Sequence, residues 1–298
     1  FYFEAFDDNK ELLQSISNIR RSLEKVPDEL PMAFLSNDEQ LAYWFNLHNI
    51  TVIDELLKVY PIKNLDDFEN GEDAVFNQKI LTVAGIPLSL NDIQDIVFNK
   101  FGAEPLYLYG FFHGHVGAPD IRKHAYNGQN IGRALRQNAM LFINSNRGTM
   151  SGRNHKFRAA RFYEKNSRYF PSFETDLRSH LVEYIEGEEY FELQNSHTLL
   201  TRIDAWQITD IYGSVRKYGG RHHTNPAALI GAFSSASSNG SPPAMAEQMS
   251  TALMSYSADY GRFSAEQVEM LHELKFRLKE NKGKVSITDL KAESTENN

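Results

Sequence analysis

The chain has 298 residues, of which 41% are hydrophobic and 23% charged, so it can bury a core and is not intrinsically disordered. Its formal net charge of -8 argues against a nucleic-acid partner, because such proteins present a basic surface. It contains no cysteine, which excludes disulfides, thiolate metal sites and a cysteine nucleophile.

The beginning of the chain and its hydropathy suggest a location. The sequence begins at Phe1 and not at methionine, and we interpret it as a mature exported protein whose leader has been removed. A run of about 18 apolar residues, the length that spans a bilayer, is absent, so we expect no membrane span. The predicted location is periplasmic or extracellular.

Hydrophobic spacing predicts two helices near the N-terminus. The first covers residues 9–26 and is expected to end at Pro27 and Pro31. The second covers 38–59, with polar residues at 37–40 as its cap.

A hairpin and a third helix are predicted next. The apolar runs within 79–90 flank Ala84-Gly85, which is typical of a tight turn between two strands. Ser89 or Asn91 can cap a helix over 92–101, and Gly102 is placed to end it.

The middle of the chain mixes strand and helix patterns. The continuous apolar run at 105–112 predicts a buried strand, residues 147–148 a turn, and 187–203 mixed structure. Helical patterns cover 130–144, 157–170, 173–186 and 204–212.

The composition changes at Ser234, and this divides the chain. We predict an N-terminal helical segment over 1–36, a core domain over 37–233, a linker over 234–243 and a helical extension over 244–298. The fold class is α+β, rich in helix, with a small antiparallel or mixed sheet and the C-terminal helical extension.

Four blocks in fixed order resemble the family called domain of unknown function 547. LAYWFNLHN at 41–49 resembles the family's LAFWINLYN, and YPIKNL at 60–65 resembles its YPVKSI. LSLNDI at 88–93 is similar to YSLDDI, and PDIRKHAYNGQNI at 119–131 to PPLRNEAYTGENL. The resemblance covers about 37–185 and implies the family's fold.

The resemblance fails where the family motif carries two cysteines. Matching through Pro119 places His113 and Ala118 at those two positions. If the family used a thiolate nucleophile, as papain-like enzymes do, this chain could not follow that route. The leading hypothesis is therefore a non-catalytic binding or assembly module that holds a protein partner or self-assembles. Its candidate binding residues are Trp44, Asn46, His48, Asn49, Arg122 and Tyr126.

Two of these candidates, Asn46 and Asn49, lie three residues apart and so share one face of the predicted helix. Their amides can orient a ligand, or they can hydrogen-bond buried backbone in an irregular part of the core. The spacing does not decide between these two roles.

The alternative function is a metal- or histidine-dependent hydrolase. His113 and His115 are two residues apart, so both rings can reach one divalent ion such as zinc, with His222 as third ligand. His223 and Asp120 are further catalytic candidates. The competing interpretation is that these are ordinary histidines in glycine-containing turns. No cofactor other than this metal ion is predicted.

A third hypothesis is a polyanion or glycan binder. Basic residues are interleaved with aromatic ones at Arg147, Arg153, Lys156, Arg158, Arg161, Lys165 and Arg168, although such a run is also typical of a solvated helix face. Asp204 or Asp210 can orient a histidine or be a plain surface acid. Residues 281–290 resemble half of a calcium loop but lack its carboxylates, so calcium binding is not expected.

Overall fold

A computed structural model describes residues 1–209, apart from Tyr2, Asp7, Asp8, Lys63, Asn146 and Arg153. The predicted linker and C-terminal helices lie outside these residues, as do Asp210, His222 and His223. The domain boundaries therefore stay predictions.

The described part has the predicted α+β, helix-rich architecture. Its α-helices are α1 (Lys10–Glu29), α2 (Asn37–Val59), α3 (Asp66–Asn70), α4 (Leu90–Phe101), α5 (Ile131–Ile143), α6 (Arg161–Lys165), α7 (Phe173–Tyr184) and α8 (Gly187–Asn195). Short 3-10 helices occur at Phe3–Phe6, Met32–Phe34, Val75–Asn77, Pro105–Gly110 and Ser167–Tyr169. None of these helices is both long and apolar enough to cross a membrane.

Two small sheets complete the described part. Strands β1 (Leu81–Val83) and β2 (Ile86–Leu88) form the predicted antiparallel hairpin around Ala84-Gly85. Strands β3 (Thr149–Ser151), β4 (Lys156–Ala160) and β5 (Thr198–Ile203) form a mixed sheet in the order β3-β4-β5. In it, β4 pairs antiparallel with β3 and parallel with β5.

Helix α2 is the central element and contributes to both apolar clusters of the core. Its N-cap is Ser36, which exchanges hydrogen bonds with Glu39 in a capping box one residue before the predicted cap. Helix α1 contains no buried residue, but its Ile16, Leu23 and Val26 pack partly buried against the core, and polar contacts add to this. Its Arg20 guanidinium lies 2.7 Å from carboxylate oxygens of both Asp54 and Glu55 on α2.

Pro27 does not end α1 as predicted but lies inside it. A proline lacks the N–H that would pair with the carbonyl four residues earlier, here that of Leu23. The hydroxyl of Tyr43 on α2 donates to this carbonyl at 3.1 Å. A tertiary contact thus satisfies the acceptor that the proline leaves open, and the helix continues to Glu29.

Three predicted elements are wrong. The apolar run 105–112 begins as a 3-10 helix and not as a strand, because side-chain amides of Asn49 and Asn138 bond to its carbonyls and no described strand pairs with it. Residues 157–160 belong to β4, which is paired on both edges, and the helical pattern begins only at Arg161. The described part of 204–212 is extended and not helical, because its backbone bonds to the turn at 114–117.

A buried hydroxyl network links three of the packed elements. The hydroxyl of Tyr109 lies 3.0 Å from that of Tyr163 and 2.8 Å from Nε2 of His180 on α7. Burial lowers the pKa of His180 to about 4, so this imidazole is neutral in the folded protein. His180 is therefore harder to protonate in the native state than in the unfolded chain.

We predict an acid-dependent loss of stability that originates at His180. Between the ordinary pKa of about 6.5 and the folded value, the unfolded state binds the extra proton, so stability falls as the pH is lowered. Between pH 7 and pH 5 the free energy of unfolding should therefore fall by about 1–2 kcal/mol less in His180→Gln than in wild type. Urea denaturation at both pH values measures this, with His124→Gln, at an exposed position, as control. Equal losses in wild type and His180→Gln would contradict it.

Candidate metal centre

Glu69, His113 and His115 converge on one point. Nδ1 of His113 lies 3.2 Å and Nε2 of His115 lies 3.1 Å from the same carboxylate oxygen, Oε2 of Glu69. One ligand atom from each residue lies within 4.8 Å of the others, and no other such group occurs among the described residues. The third residue is a carboxylate from α3, whereas the sequence predicted His222.

Packing fixes the carboxylate and the first imidazole. Glu69 is in the last turn of α3, and Leu65 before that helix donates its N–H to the carbonyl of Trp206 at 2.8 Å. The His113 ring stacks on Phe76, with centroids 5.5 Å apart and an interplanar angle of 16°. Phe162 meets the same ring edge-on. The imidazole is thereby held between aromatic neighbours.

A backbone carbonyl orients the second imidazole. Nδ1 of His115 lies 3.1 Å from the carbonyl oxygen of Ala205, which can only accept, so this nitrogen carries the proton. In the neutral ring, Nε2 then presents its lone pair toward Glu69. The indole of Trp206 packs on the other side, with centroids 4.4 Å apart. Metal-binding histidines are oriented by this kind of outer hydrogen bond.

The carboxylate of Glu69 stays charged although it is largely buried. Burial alone would raise its pKa, but the charge and hydrogen bonds of His113 and His115 hold the pKa well below its usual range. A buried carboxylate is costly unless a positive group compensates it. Two imidazoles facing one oxygen can supply this compensation through a shared proton or through a metal ion bound between the three residues.

Two of the three distances between candidate ligand atoms are close to those of a tetrahedral metal site. Zinc bound tetrahedrally at about 2.1 Å separates neighbouring ligand atoms by roughly 3.4 Å. The two nitrogen–oxygen distances, 3.2 and 3.1 Å, are close to that separation. The third separation, between the two imidazole nitrogens, is at most 4.8 Å.

His48 lies beside this cluster, but both of its ring nitrogens have other partners. Nδ1 lies 3.2 Å from Oδ1 of Asn49, and Nε2 lies 3.2 Å from the amide nitrogen of Gln94. Burial, followed by the nearby charge of His113, lowers its pKa to about 3. His48 is therefore a neutral core residue in this arrangement.

The two asparagines on α2 hydrogen-bond buried backbone, which is the second of their predicted roles. Asn49 donates to the carbonyl of Gly110 at 2.9 Å and accepts from the N–H of Phe112 at 2.8 Å. Asn46 makes the same two-way contact with the backbone of Tyr126, at 2.8 and 2.9 Å. The amide of Asn49 thus makes the bonds that a strand partner would otherwise make with the segment at 110–112.

The other predicted binding residues are also engaged within the fold. Trp44 is buried against Tyr43, and Arg122 donates to the carbonyl of Ala134. The hydroxyl of Tyr126 donates to the carbonyl of Tyr109. Their predicted role in binding stays a prediction.

Asp120 lies outside the cluster and forms an ion pair with the buried Arg147. The guanidinium also lies 3.4 Å from the carbonyls of Val116 and Ala118, so it ties down the turn that carries the histidines. Arg147 is buried, so at this position the run does not form a solvated basic face. Its guanidinium bonds to the backbone of the turn instead. Asp204 pairs with Arg161 at 2.7 Å, and a carbonyl rather than an acid orients the histidine.

Residues 32–143 match the family model described as protein of unknown function, DUF547. The predicted resemblance is thereby confirmed over this segment, which we call the DUF547 segment. The matched residues include Glu69, His113 and His115, so the whole cluster lies within the DUF547 segment. No curated protein and no solved structure matches the chain.

Sequence reasoning found the two histidines of the DUF547 segment but missed Glu69. The carboxylate is 44 positions before His113 and lies on a helix of five residues, too short to show periodicity. It follows Asp66 and Asp67 in an acidic run, so the sequence does not distinguish it from an ordinary surface acid. Only the bond between Leu65 and Trp206 shows why this short helix faces the turn.

We predict that the amide of Asn49 is needed for folding of the DUF547 segment. In Asn49→Asp the side chain can still accept from Phe112, but it cannot donate to Gly110 and introduces a buried charge. The free energy of unfolding should fall by about 2–4 kcal/mol. Denaturant unfolding measures the loss, with Asn99→Asp at an exposed site of α4 as matched control. Losses of equal size in the two variants would refute the structural role.

Proposed function

We propose that this protein binds one divalent metal ion, of the zinc class, through Glu69, His113 and His115 and uses it for hydrolysis. The observation that carries the proposal is the convergence of three ligand atoms within 4.8 Å of one another in a largely buried site. Imidazole nitrogen and carboxylate oxygen are the ligands that zinc takes in catalytic centres. The same set, two histidines and one carboxylate, also suits iron or manganese.

The orientation of His115 leaves one of its ring nitrogens available to a metal ion. Its Nδ1 proton is directed to the carbonyl of Ala205, so its Nε2 lone pair points at a charged carboxylate oxygen 3.1 Å away. Two lone pairs at that distance repel each other unless a cation lies between them. A metal ion bound between the three residues removes this repulsion.

The described residues supply three protein ligands, a number that supports a catalytic rather than a structural role. Structural zinc sites are closed by four protein ligands, whereas catalytic sites leave a position for water or substrate. Bound water loses its proton near neutral pH and becomes a nucleophile for hydrolysis. This route needs no thiol and is therefore open to a chain without cysteine.

A second candidate is the exported binding or assembly module. It is favoured by exposed apolar side chains at Phe34, Leu141 and Phe191, which are 78%, 65% and 65% exposed. Such residues fit a protein partner or self-association on the cell envelope or outside the cell.

We predict that the metal-free protein takes up one zinc ion per chain, and that Glu69→Gln, His113→Ala and His115→Ala each weaken this binding at least tenfold. Competition against a chromophoric chelator measures the affinity, and His124→Ala on the exposed surface is the matched control. Less than about a tenth of an equivalent of zinc, iron or manganese bound by wild type would overturn the metal centre.

A double variant distinguishes a catalytic from a structural site. His222→Ala/His223→Ala should retain the metal, because the proposed centre leaves its fourth position to water. Loss of metal in this double variant would identify a fourth protein ligand and contradict the hydrolytic proposal while leaving the metal site intact. Circular dichroism confirms that each variant is folded.

A further inference from the structure

Lys165 lies directly beside the candidate metal centre. Its ammonium nitrogen is 4.0 Å from Oε1 of Glu69, the carboxylate oxygen that does not face the histidines. It also lies 3.7 Å from the centroid of the Trp206 indole, whose other contact is the ring of His115. The side chain is 29% exposed, so the ammonium is positioned by packing but remains accessible.

The ammonium of Lys165 has more N–H donors than it uses in bonds to the described residues. A lysine carries three N–H groups, and Asn70 accepts one of them through Oδ1 at 2.7 Å. The distance to Glu69 exceeds that of a hydrogen bond. Among the described residues no further acceptor takes a bond from this nitrogen, so two donors remain for a ligand.

Charge balance indicates what that ligand is. The double charge of a divalent ion exceeds the single charge of Glu69, and Lys165 adds another positive charge beside it. Of the other charged groups near Lys165, Asp204 is paired with Arg161, and Asp66 is exposed to solvent. A partly buried surplus of positive charge is costly, and an anion compensates it best when it touches both cations.

We propose that Lys165 binds an oxyanion of the substrate, so that one anionic group bridges the metal ion and the lysine ammonium. This inference rests on the proposed metal centre and specifies its substrate class as anionic molecules that carry a phosphate or a carboxylate. Lysine suits this role as a point charge that requires no particular orientation of the anion. Lys165 touches the substrate, whereas Trp206 and Asn70 are positioning residues for the ammonium.

The test uses full-length protein loaded with cobalt(II), whose visible absorption reports ligands that enter the coordination sphere. Inorganic phosphate and acetate are titrated as anionic probes, and imidazole as a neutral one. Lys165→Met should weaken phosphate or acetate binding about tenfold or more, since a charged hydrogen bond is lost, and leave imidazole binding unchanged. Lys165→Arg should restore most of the anion affinity.

The matched control is Lys25→Met, which removes an exposed lysine of α1 away from the centre and should bind all three probes as wild type does. Phosphate and acetate affinities that both stay unchanged in cobalt-loaded Lys165→Met would overturn the anion site and leave the metal centre standing. Equal weakening of imidazole would overturn it too, because that result indicates general distortion. Failure of wild type to hold cobalt would instead refute the proposed function itself.

Discussion

The backbone from Gly110 to Ala118 crosses the core outside the regular pairing of helices and strands. The candidate site depends on which groups bond to its N–H and C=O groups instead. Buried N–H and C=O groups without partners cost free energy comparable to a lost hydrogen bond. Here the partners are side chains and a second irregular segment. They are Asn49 on one side, Arg147 beneath the turn, and the backbone of residues 205–209 along the other side.

The same bonds that satisfy this backbone also build the candidate centre. The N–H groups of Val116 and Gly117 donate to the carbonyls of Gln207 and Ala205, each at 2.8 Å, and Thr209 donates to the carbonyl of Gly114. The carbonyl of Ala205 is thereby in place to accept from His115 as well. Gly114 has a φ of 83°, and a Cβ there would lie 2.5 Å from Leu56, so only glycine fits between the histidines. Folding and ligand geometry are thus set together.

Local signals predicted the local structure well. The spacing of α2, the Ala84-Gly85 turn and the stop of α4 at Gly102, with a φ of 96°, all follow from residues near in sequence. The failures have a common cause, which is that partners distant in sequence determine the backbone. Residues 105–112 form no strand, because the amide of Asn49 makes the bonds that a neighbouring strand would make. Residues 204–209 are extended because their backbone bonds to the turn at 114–117.

The site was predictable to the extent that its ligands were adjacent. The spacing of His113 and His115 indicated a shared ligand, and the structure brings both nitrogens to one oxygen. Glu69 could not be inferred, because its place depends on Leu65 bonding to Trp206, a contact between residues 141 positions apart by their numbers. Lys165 was visible only as part of a basic run, although its neighbours there pair with surface acids.

The two positions where the resemblance places cysteines have different consequences for chemistry. At 118 the side chain is a fully buried alanine, and no nucleophilic atom is present. At 113 an imidazole replaces sulfur, and zinc accepts imidazole nitrogen as readily as thiolate. The first replacement removes covalent catalysis by a thiol at that position, whereas the second places an imidazole nitrogen 3.2 Å from the carboxylate of Glu69. The departure from the family motif therefore removes sulfur from the turn and leaves an imidazole there, within the same family fold.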